Sequence, residues 1–169
     1  MRRRQIATTG APTLSVRAAR FEDLSAVVQM IEGAIEHGCR EHYDVVQRRA
    51  VYLGYASNLF LDAVGPFETL VGEMGGRLVG FAQLDVASSG LRALFVDATL
   101  QGQGVGRALL AALEARARAA GCARLRGAMS LNALDFYAQS GFRPCGGPTR
   151  LLSAGIRVPV TWMEKSLRG

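Results

Sequence analysis

The chain has 169 residues, of which 49% are hydrophobic and 20% are charged, and its formal net charge is +6 at pH 7. This length suits one domain with a single sizeable core, and no apolar run is long enough to span a membrane. The basic excess would suit either an anionic cofactor or a nucleic acid. No cluster of base-stacking aromatics and no nucleic-acid-reading motif accompanies it, so we expect a small anionic ligand, with neither a nucleic acid nor a membrane as partner.

The start of the chain is basic, with three arginines at positions 2–4 and no acid before Glu22. We predict a flexible basic tail over residues 1–13 and a single domain over residues 14–169. The Arg-rich start loosely resembles an organellar transit peptide, although a short leader is the simpler interpretation. The three cysteines are scattered and fit no metal-binding spacing, so we expect reduced thiols, a cytoplasmic protein and no metal site.

The first third of the chain predicts one strand followed by two helices. Leu14–Ala18 alternates between apolar and polar residues, as a half-buried strand does. Arg20–Asp23 then opens a helix, with acids in the first turn where the helix dipole favours them. Within Cys39–Ala63 apolar residues recur at helical spacing, which predicts a second helix that could break at Gly54.

The middle of the chain predicts an antiparallel meander. Its strands are Glu68–Met74, Leu78–Val86 and Leu91–Val96. The first two are joined by the two-residue turn Gly75-Gly76, and the next two by a short turn of serines and a glycine. Sequential strands joined by such tight turns pair in antiparallel fashion.

The remainder predicts two helices, three strands and a long loop. In chain order they are a helix over Gly102–Ala120, a strand over Ala123–Met129, a helix over Asn132–Ser140, a strand beginning at Phe142–Pro144, a loop over Cys145–Gly155 and a closing strand over Arg157–Glu164. The strand after the first of these helices should run parallel to the strand before it. The whole order predicts one mixed α/β sheet with helices on both faces.

The segment Gln101–Gly106, which reads QGQGVG, lies between a buried strand and an apolar-periodic helix. The first N–H groups of a helix have no acceptor within the helix, and glycine lets an anion approach the backbone closely. The alternate spacing of the glycines excludes the dinucleotide fingerprint, and the segment lacks the lysine of a nucleoside-triphosphate loop. The pattern therefore predicts a pyrophosphate cradle.

This segment resembles the Q/R-x-x-G-x-G/A signature of the GNAT superfamily of acyl-CoA N-acyltransferases, with Gln101, Gly104 and Gly106 at its defining positions. The strand before it is similar to the fourth strand of that family. Asn132–Phe142 resembles the family segment N-x-x-x-x-F-Y-x-x-x-G-F. The resemblance runs from about residue 14 to residue 167 and points to small bacterial acetyltransferases. One departure is Ala98, where proline often follows the aspartate; it changes the stiffness of the loop.

The resemblance implies a mostly antiparallel sheet in which parallel strands four and five splay apart, with acetyl-CoA bound in the opening. The pantetheine arm would pair with the backbone of Leu94, Phe95 and Val96, as an added strand does. A backbone N–H near Val96 would face the thioester carbonyl. The pyrophosphate would be held by the loop and the first helical turn, comprising Gln101, Gly102, Gln103, Gly104, Val105, Gly106 and Arg107.

Two residues of the later segment are expected at the cofactor. By resemblance Tyr137 protonates the departing CoA thiolate, although an aromatic at this position could also be a core residue. A tyrosine suits this role because its ordinary pKa lies above that of a thiol. Asn132 could bond to the pantetheine or adenine end of the cofactor, or cap the following helix.

The general base is not identified by the sequence. Glu73, Asp85, His42 and Tyr43 are candidates, and a chain of water molecules would serve equally. His37, Cys39 and His42 are spaced unlike any strong metal-binding pattern.

We therefore expect an N-acetyltransferase that moves an acetyl group from acetyl-CoA to a primary amine by direct attack in a ternary complex. The alternative is a non-catalytic acyl-CoA-binding sensor or interaction module. The acceptor pocket should be formed by Gly33–Gly65 and Cys145–Gly155. These regions carry few carboxylates, so a small mono-amine or a peptide amine is preferred over a polycation. A homodimer is possible by resemblance alone.

Overall fold

The computed structural model describes residues 12–62 and 66–168, with the side chains of residues 59–62 excepted. The predicted tail therefore lies almost wholly outside the described residues. The elements in chain order are β1 Leu14–Ala18, α1 Leu24–Gly38, α2 Val45–Asp62, β2 Glu68–Met74, β3 Arg77–Asp85, β4 Gly90–Val96, α3 Val105–Ala119, β5 Arg124–Ser130, α4 Leu134–Gln139, β6 Arg143–Pro144, β7 Thr149–Ser153 and β8 Ile156–Ser166. None of the described helices has the length and apolar character needed to cross a membrane.

The strands form one mixed sheet in the order β1-β2-β3-β4-β5-β8-β6, with β7 paired to β8. The described neighbours are antiparallel except β4 and β5, which are parallel and share a single residue pair, Gly90 with Arg126. By contrast, β5 and β8 pair along the whole stretch from Arg124 to Ser130. The predicted mixed sheet with a splayed parallel pair is therefore confirmed.

Helices cover both faces of the sheet, and each face has its own core. On one face α3 buries Val105, Leu109 and Leu113 completely, at the spacing of one helical stripe. These side chains pack in a cluster with residues of β2 to β5 and α4. On the other face α1 buries Leu24 and Ile31 in a second cluster, which reaches β2, β3 and β8. The two cores cover opposite faces of the sheet, and the opening between β4 and β5 lies between them.

Three sequence expectations differ from the structure. The segment 145–155 was expected to be a loop, yet it contains β7, which pairs with β8 through a two-residue turn at Ala154 and Gly155. Both turn residues have positive φ, 44° and 80°, which is the type I′ geometry that glycine and asparagine normally supply. Because alanine rarely adopts a positive φ, the sequence does not predict this turn. The second helix is continuous through Gly54, and α3 begins at Val105, after the loop.

Candidate active site

β4 and β5 share fewer residue pairs than any other neighbouring strands that the structure describes. The Arg126 N–H donates to the Ser89 carbonyl at 3.0 Å, next to the single paired position, and the strands then diverge. On β4, Arg92 is an extra residue opposite the pair formed by Gln83 and Leu84 on β3, so the strand is bulged there. A cavity of about 760 Å³ occupies the opening. The divergence leaves backbone groups on both strands for an extended ligand to pair with.

Two of the three predicted cofactor strand residues line this cavity, and Val96 does not. Leu94 and Phe95 line it directly. Leu94 and Val96 pack toward the α3 core, whereas Phe95 packs toward the α1 core and contacts the ring of Tyr55 edge to face at 4.9 Å. The β4 edge therefore runs between the two cores.

The glycine loop leads into α3 from the end of β4. Gly102 and Gly104 have φ values of +78° and +88°, in the left-handed region that glycine adopts without strain. Gly104 is the N-cap of α3, and the first bond of the helix joins the Ala108 N–H to its carbonyl at 3.0 Å. The N–H groups of residues 105–107 thus have no acceptor within the helix. Residues 101–104 are exposed, so this positive helix end is open to an anionic ligand.

The end of α1 meets the two predicted cofactor side chains. A Cβ added to Gly38 would lie 3.2 Å from Gln101 Nε2 and 3.7 Å from Asn132 Nδ2. The Cys39 thiol donates to Asn132 Oδ1 at 3.3 Å. The N-cap of α4 is Ala133, so Asn132 does not cap that helix. The structure therefore brings Gln101 and Asn132 together at the C-terminus of α1.

Tyr137 lies in α4, is only 5% exposed and lines the cavity. Its ring packs edge to face between Phe136 at 5.0 Å and Phe142 at 5.3 Å. Burial raises the pKa of its hydroxyl well above the ordinary value, so the group is protonated at neutral pH. Among the described residues the Tyr137 hydroxyl has no hydrogen-bond partner. The site thus holds a protonated hydroxyl that is available to a ligand.

The candidates for the general base are held in different ways. Glu73 accepts from Arg17 Nε at 3.0 Å and does not line the cavity, and His42 is exposed outside it. Tyr43 lines the cavity, but its hydroxyl accepts from the Leu131 N–H and donates to the Pro159 carbonyl, both at 2.8 Å. Tyr43 therefore links the α1–α2 connection to the residue after β5 and to β8. This role is structural, whereas the sequence suggested Tyr43 only as a general base.

Asp85 also lines the cavity, and its carboxylate accepts from Ser88 Oγ at 2.7 Å and from the Ala87 N–H at 3.0 Å. These bonds lower the pKa of Asp85. Burial raises the pKa of the Cys39 thiol to about 11, so it is protonated and a poor nucleophile at neutral pH. No three His, Cys, Asp or Glu side chains within residues 12–62 and 66–168 are grouped to hold a metal ion.

The part of the cavity on the α1–α2 face contains residues that the sequence reading did not single out. Arg48 and Tyr55 project from α2, Arg126 from β5 and Trp162 from β8. Alternation along β8 could have placed Trp162 on the same face as Val158 and Val160. The contact between Arg126 and Trp162 could not be predicted from the residues near either one in sequence, because it depends on the register between β5 and β8.

Comparison with known proteins agrees with this architecture. Residues 33–167 match the family described as the acetyltransferase (GNAT) domain. No curated protein matches the chain significantly. A GCN5-related N-acetyltransferase from Rhodopseudomonas palustris is 26% identical, with a TM-score of 0.84 over 94% of this chain and 98% of that one.

Two more distant solved structures share the fold. The PaiA N-acetyltransferase from Thermoplasma acidophilum, in complex with coenzyme A, is 17% identical with a TM-score of 0.77 over 91% of this chain and 99% of that one. The putative acetyltransferase YncA from Salmonella typhimurium, with its cofactor acetyl-CoA, is 21% identical with a TM-score of 0.60 over 92% of this chain and 94% of that one. Because the family match spans most of the sequence, the chain belongs to the GNAT family of acetyltransferases.

Proposed function

We propose that this protein transfers an acetyl group from acetyl-CoA to a primary amine, and that the amine attacks directly while both substrates are bound. The observation that carries the proposal is the continuous cavity through the splayed sheet. It reaches Tyr137 near one core and α2 and β8 on the other face, so two substrates could enter from opposite sides. Two distant relatives of the same fold hold coenzyme A or acetyl-CoA.

The residues around the opening fit the cofactor chemically. The left-handed Gly102 and Gly104 expose backbone at the positive end of α3, where a pyrophosphate binds favourably. Arg107, exposed in the first turn, adds a cation there. Gln101 and Asn132 supply amide groups beside Gly38. The amide groups of a pantetheine arm match the backbone groups that β4 leaves unpaired along Leu94–Val96.

Acetyl-CoA is consumed as a co-substrate and supplies a thioester, whose C–S bond breaks as the new C–N bond forms. A backbone N–H of β4 near Val96 would stabilise the negative charge on the carbonyl oxygen. The Tyr137 hydroxyl, which its raised pKa keeps protonated at neutral pH, would hydrogen-bond to the departing sulfur and protonate it as the C–S bond breaks. The amine would lose its own proton to water in the cavity, and the water would return a proton to Tyr137.

The test is release of the CoA thiol from acetyl-CoA in the presence of a broad panel of primary amines, with acetyl-CoA binding measured by calorimetry. We expect binding together with amine-dependent thiol release. Acetyl-CoA binding without release for any amine would contradict the proposal and support the sensor or interaction module. Absence of binding would contradict both functions.

A further inference from the structure

The α1–α2 side of the cavity is positively charged. Among the described residues that line the cavity, Arg48, Arg92 and Arg126 are cations, and Asp85 is the sole carboxylate. Asp85 is held by the turn that follows β3, through its bonds to Ala87 and Ser88. Arginines therefore outnumber carboxylates in the described lining of the cavity.

Arg126 differs from Arg48 in how it is held. Arg48 is neutralised, because its Nε donates to Glu36 at 3.2 Å and its other guanidinium nitrogen donates to the Tyr43 carbonyl at 2.8 Å. Arg126 stacks over the Trp162 ring at 4.7 Å and forms no ion pair with a described carboxylate. Its cross-strand neighbour Glu164 contacts Arg124 instead, at 3.8 Å.

Arg92 lies across the opening from Arg126, on β4. Arg92 follows Leu91, two residues after the paired Gly90, and its guanidinium lies 4.1 Å from the centre of the Phe67 ring. Its Nε donates to Gln83 Oε1 at 3.1 Å, and Gln83 in turn donates to Thr69. Two arginines, each stacked on an aromatic ring, thus flank the narrow end of the opening.

We propose that the acceptor is a small primary amine that also carries an oxyanion, such as a carboxylate, and that Arg126 binds this oxyanion. The inference rests on the proposed acetyl transfer and adds its substrate class. A guanidinium offers two parallel N–H groups that match a carboxylate, and stacking on Trp162 keeps it oriented. A polycationic acceptor would instead bring further positive charge toward these arginines.

The geometry of β4 and β5 indicates where each end of such an acceptor would lie. Arg126 lies at the narrow end of the opening, and Ser130 follows four residues later, about 13 Å along β5. Leu94 lies four residues beyond Gly90 on β4, toward the wide end, and Tyr137 also lines the cavity. The oxyanion would therefore face the narrow end, and the amine would point toward the thioester. Trp162 and Tyr55 provide apolar surface between them.

The experiment compares amino acids with their matching amides as acceptors for the full chain and acetyl-CoA. The panel contains α-amino acids, ω-amino acids of increasing length, their amides and simple diamines. Conversion of the carboxylate to an amide lowers the pKa of the neighbouring amine, so more of the amine is in its neutral, reactive form. A preference for the carboxylate therefore cannot come from amine ionisation. We expect the best carboxylate acceptor to exceed its amide at least ten-fold in kcat/KM.

Variants identify the residue responsible. Arg126→Gln should raise KM for the best carboxylate acceptor at least ten-fold, with a smaller change in kcat, and should erase its preference over the amide. Arg126→Lys should restore part of that preference. Arg124→Gln is the matched control, because it removes the same charge from the same strand outside the cavity lining. This variant should keep the wild-type kcat/KM for both the carboxylate acceptor and its amide.

The outcomes separate the two proposals. Thiol release that is fastest with amides or diamines would overturn the acceptor class while supporting acetyl transfer. A carboxylate preference that survives in Arg126→Gln would overturn the role of Arg126. Acetyl-CoA binding without thiol release for any acceptor would contradict acetyl transfer, and this inference with it.

Discussion

Replacement of Tyr137 by phenylalanine separates the chemical role of this residue from its structural role. The substitution removes one hydroxyl group and keeps the ring, which packs between Phe136 and Phe142. Because the hydroxyl has no hydrogen-bond partner among the described residues, its removal breaks no bond in the folded chain. The substitution should therefore act on turnover and spare folding.

The expected sizes follow from these contacts. Tyr137 lines the cavity, and no buried side-chain oxygen of the described residues lacks a partner, so its hydroxyl is open to water there and its removal should leave the free energy of unfolding nearly unchanged. Loss of a general acid usually lowers kcat by about 10²–10⁴-fold. Water in the cavity could supply some of the protons, so we expect a fall of at least about ten-fold, which corresponds to about 1.4 kcal/mol.

The measurements are kcat by thiol release, the acetyl-CoA dissociation constant by calorimetry, and stability by urea denaturation. Tyr137→Ala is the comparison, since loss of the packed ring should cost about 3–5 kcal/mol of stability. In the wild type, kcat should not fall through Tyr137 ionisation up to about pH 10, because burial raises the pKa of this hydroxyl above that ordinary value. An unchanged kcat in Tyr137→Phe would remove the residue from the mechanism.

Three further predictions concern the loop, a structural tyrosine and a buried acid. Gly104→Ala has open space for the Cβ but a φ of +88°, so the free loop should relax to escape about 1–2 kcal/mol of strain. CoA binding would have to restore the strained conformation and should weaken about 5- to 30-fold by calorimetry. Gly147→Ala, which also has open space and no positive φ, should bind normally; equal losses would refute the argument. Tyr43→Phe should lose about 1–3 kcal/mol in urea denaturation, because it leaves the Leu131 N–H and the Pro159 carbonyl unpaired; a neutral effect would contradict the bridge. Hydrogen bonds from Arg17 lower the pKa of Asp23, so its stabilisation is present above about pH 4 and lost as pH falls through its folded pKa. The stability difference between wild type and Asp23→Asn should therefore narrow in acid, and a constant difference would exclude this linkage.

Features with a local cause could be predicted from sequence. The Gly75-Gly76 turn, the apolar stripe of α3 and the helix start at a glycine all depend on neighbouring residues. The β7–β8 hairpin could not, because its turn places Ala154 in a conformation that alanine rarely adopts. The basic side of the cavity also escaped prediction, since Arg126 and Trp162 meet only through the long-range register between β5 and β8.

The single residue pair between β4 and β5 has a consequence for solubility. Strand edges with unpaired backbone groups are templates on which other chains add strands and aggregate. Proteins usually blunt such edges with charges, prolines or bulges. Here two edges face each other inside one sheet, converging at Gly90 and Arg126. Because these edges face each other across the cavity and do not lie on the rim of the sheet, another chain could pair with them only by entering the cavity, whereas a slender ligand can reach them.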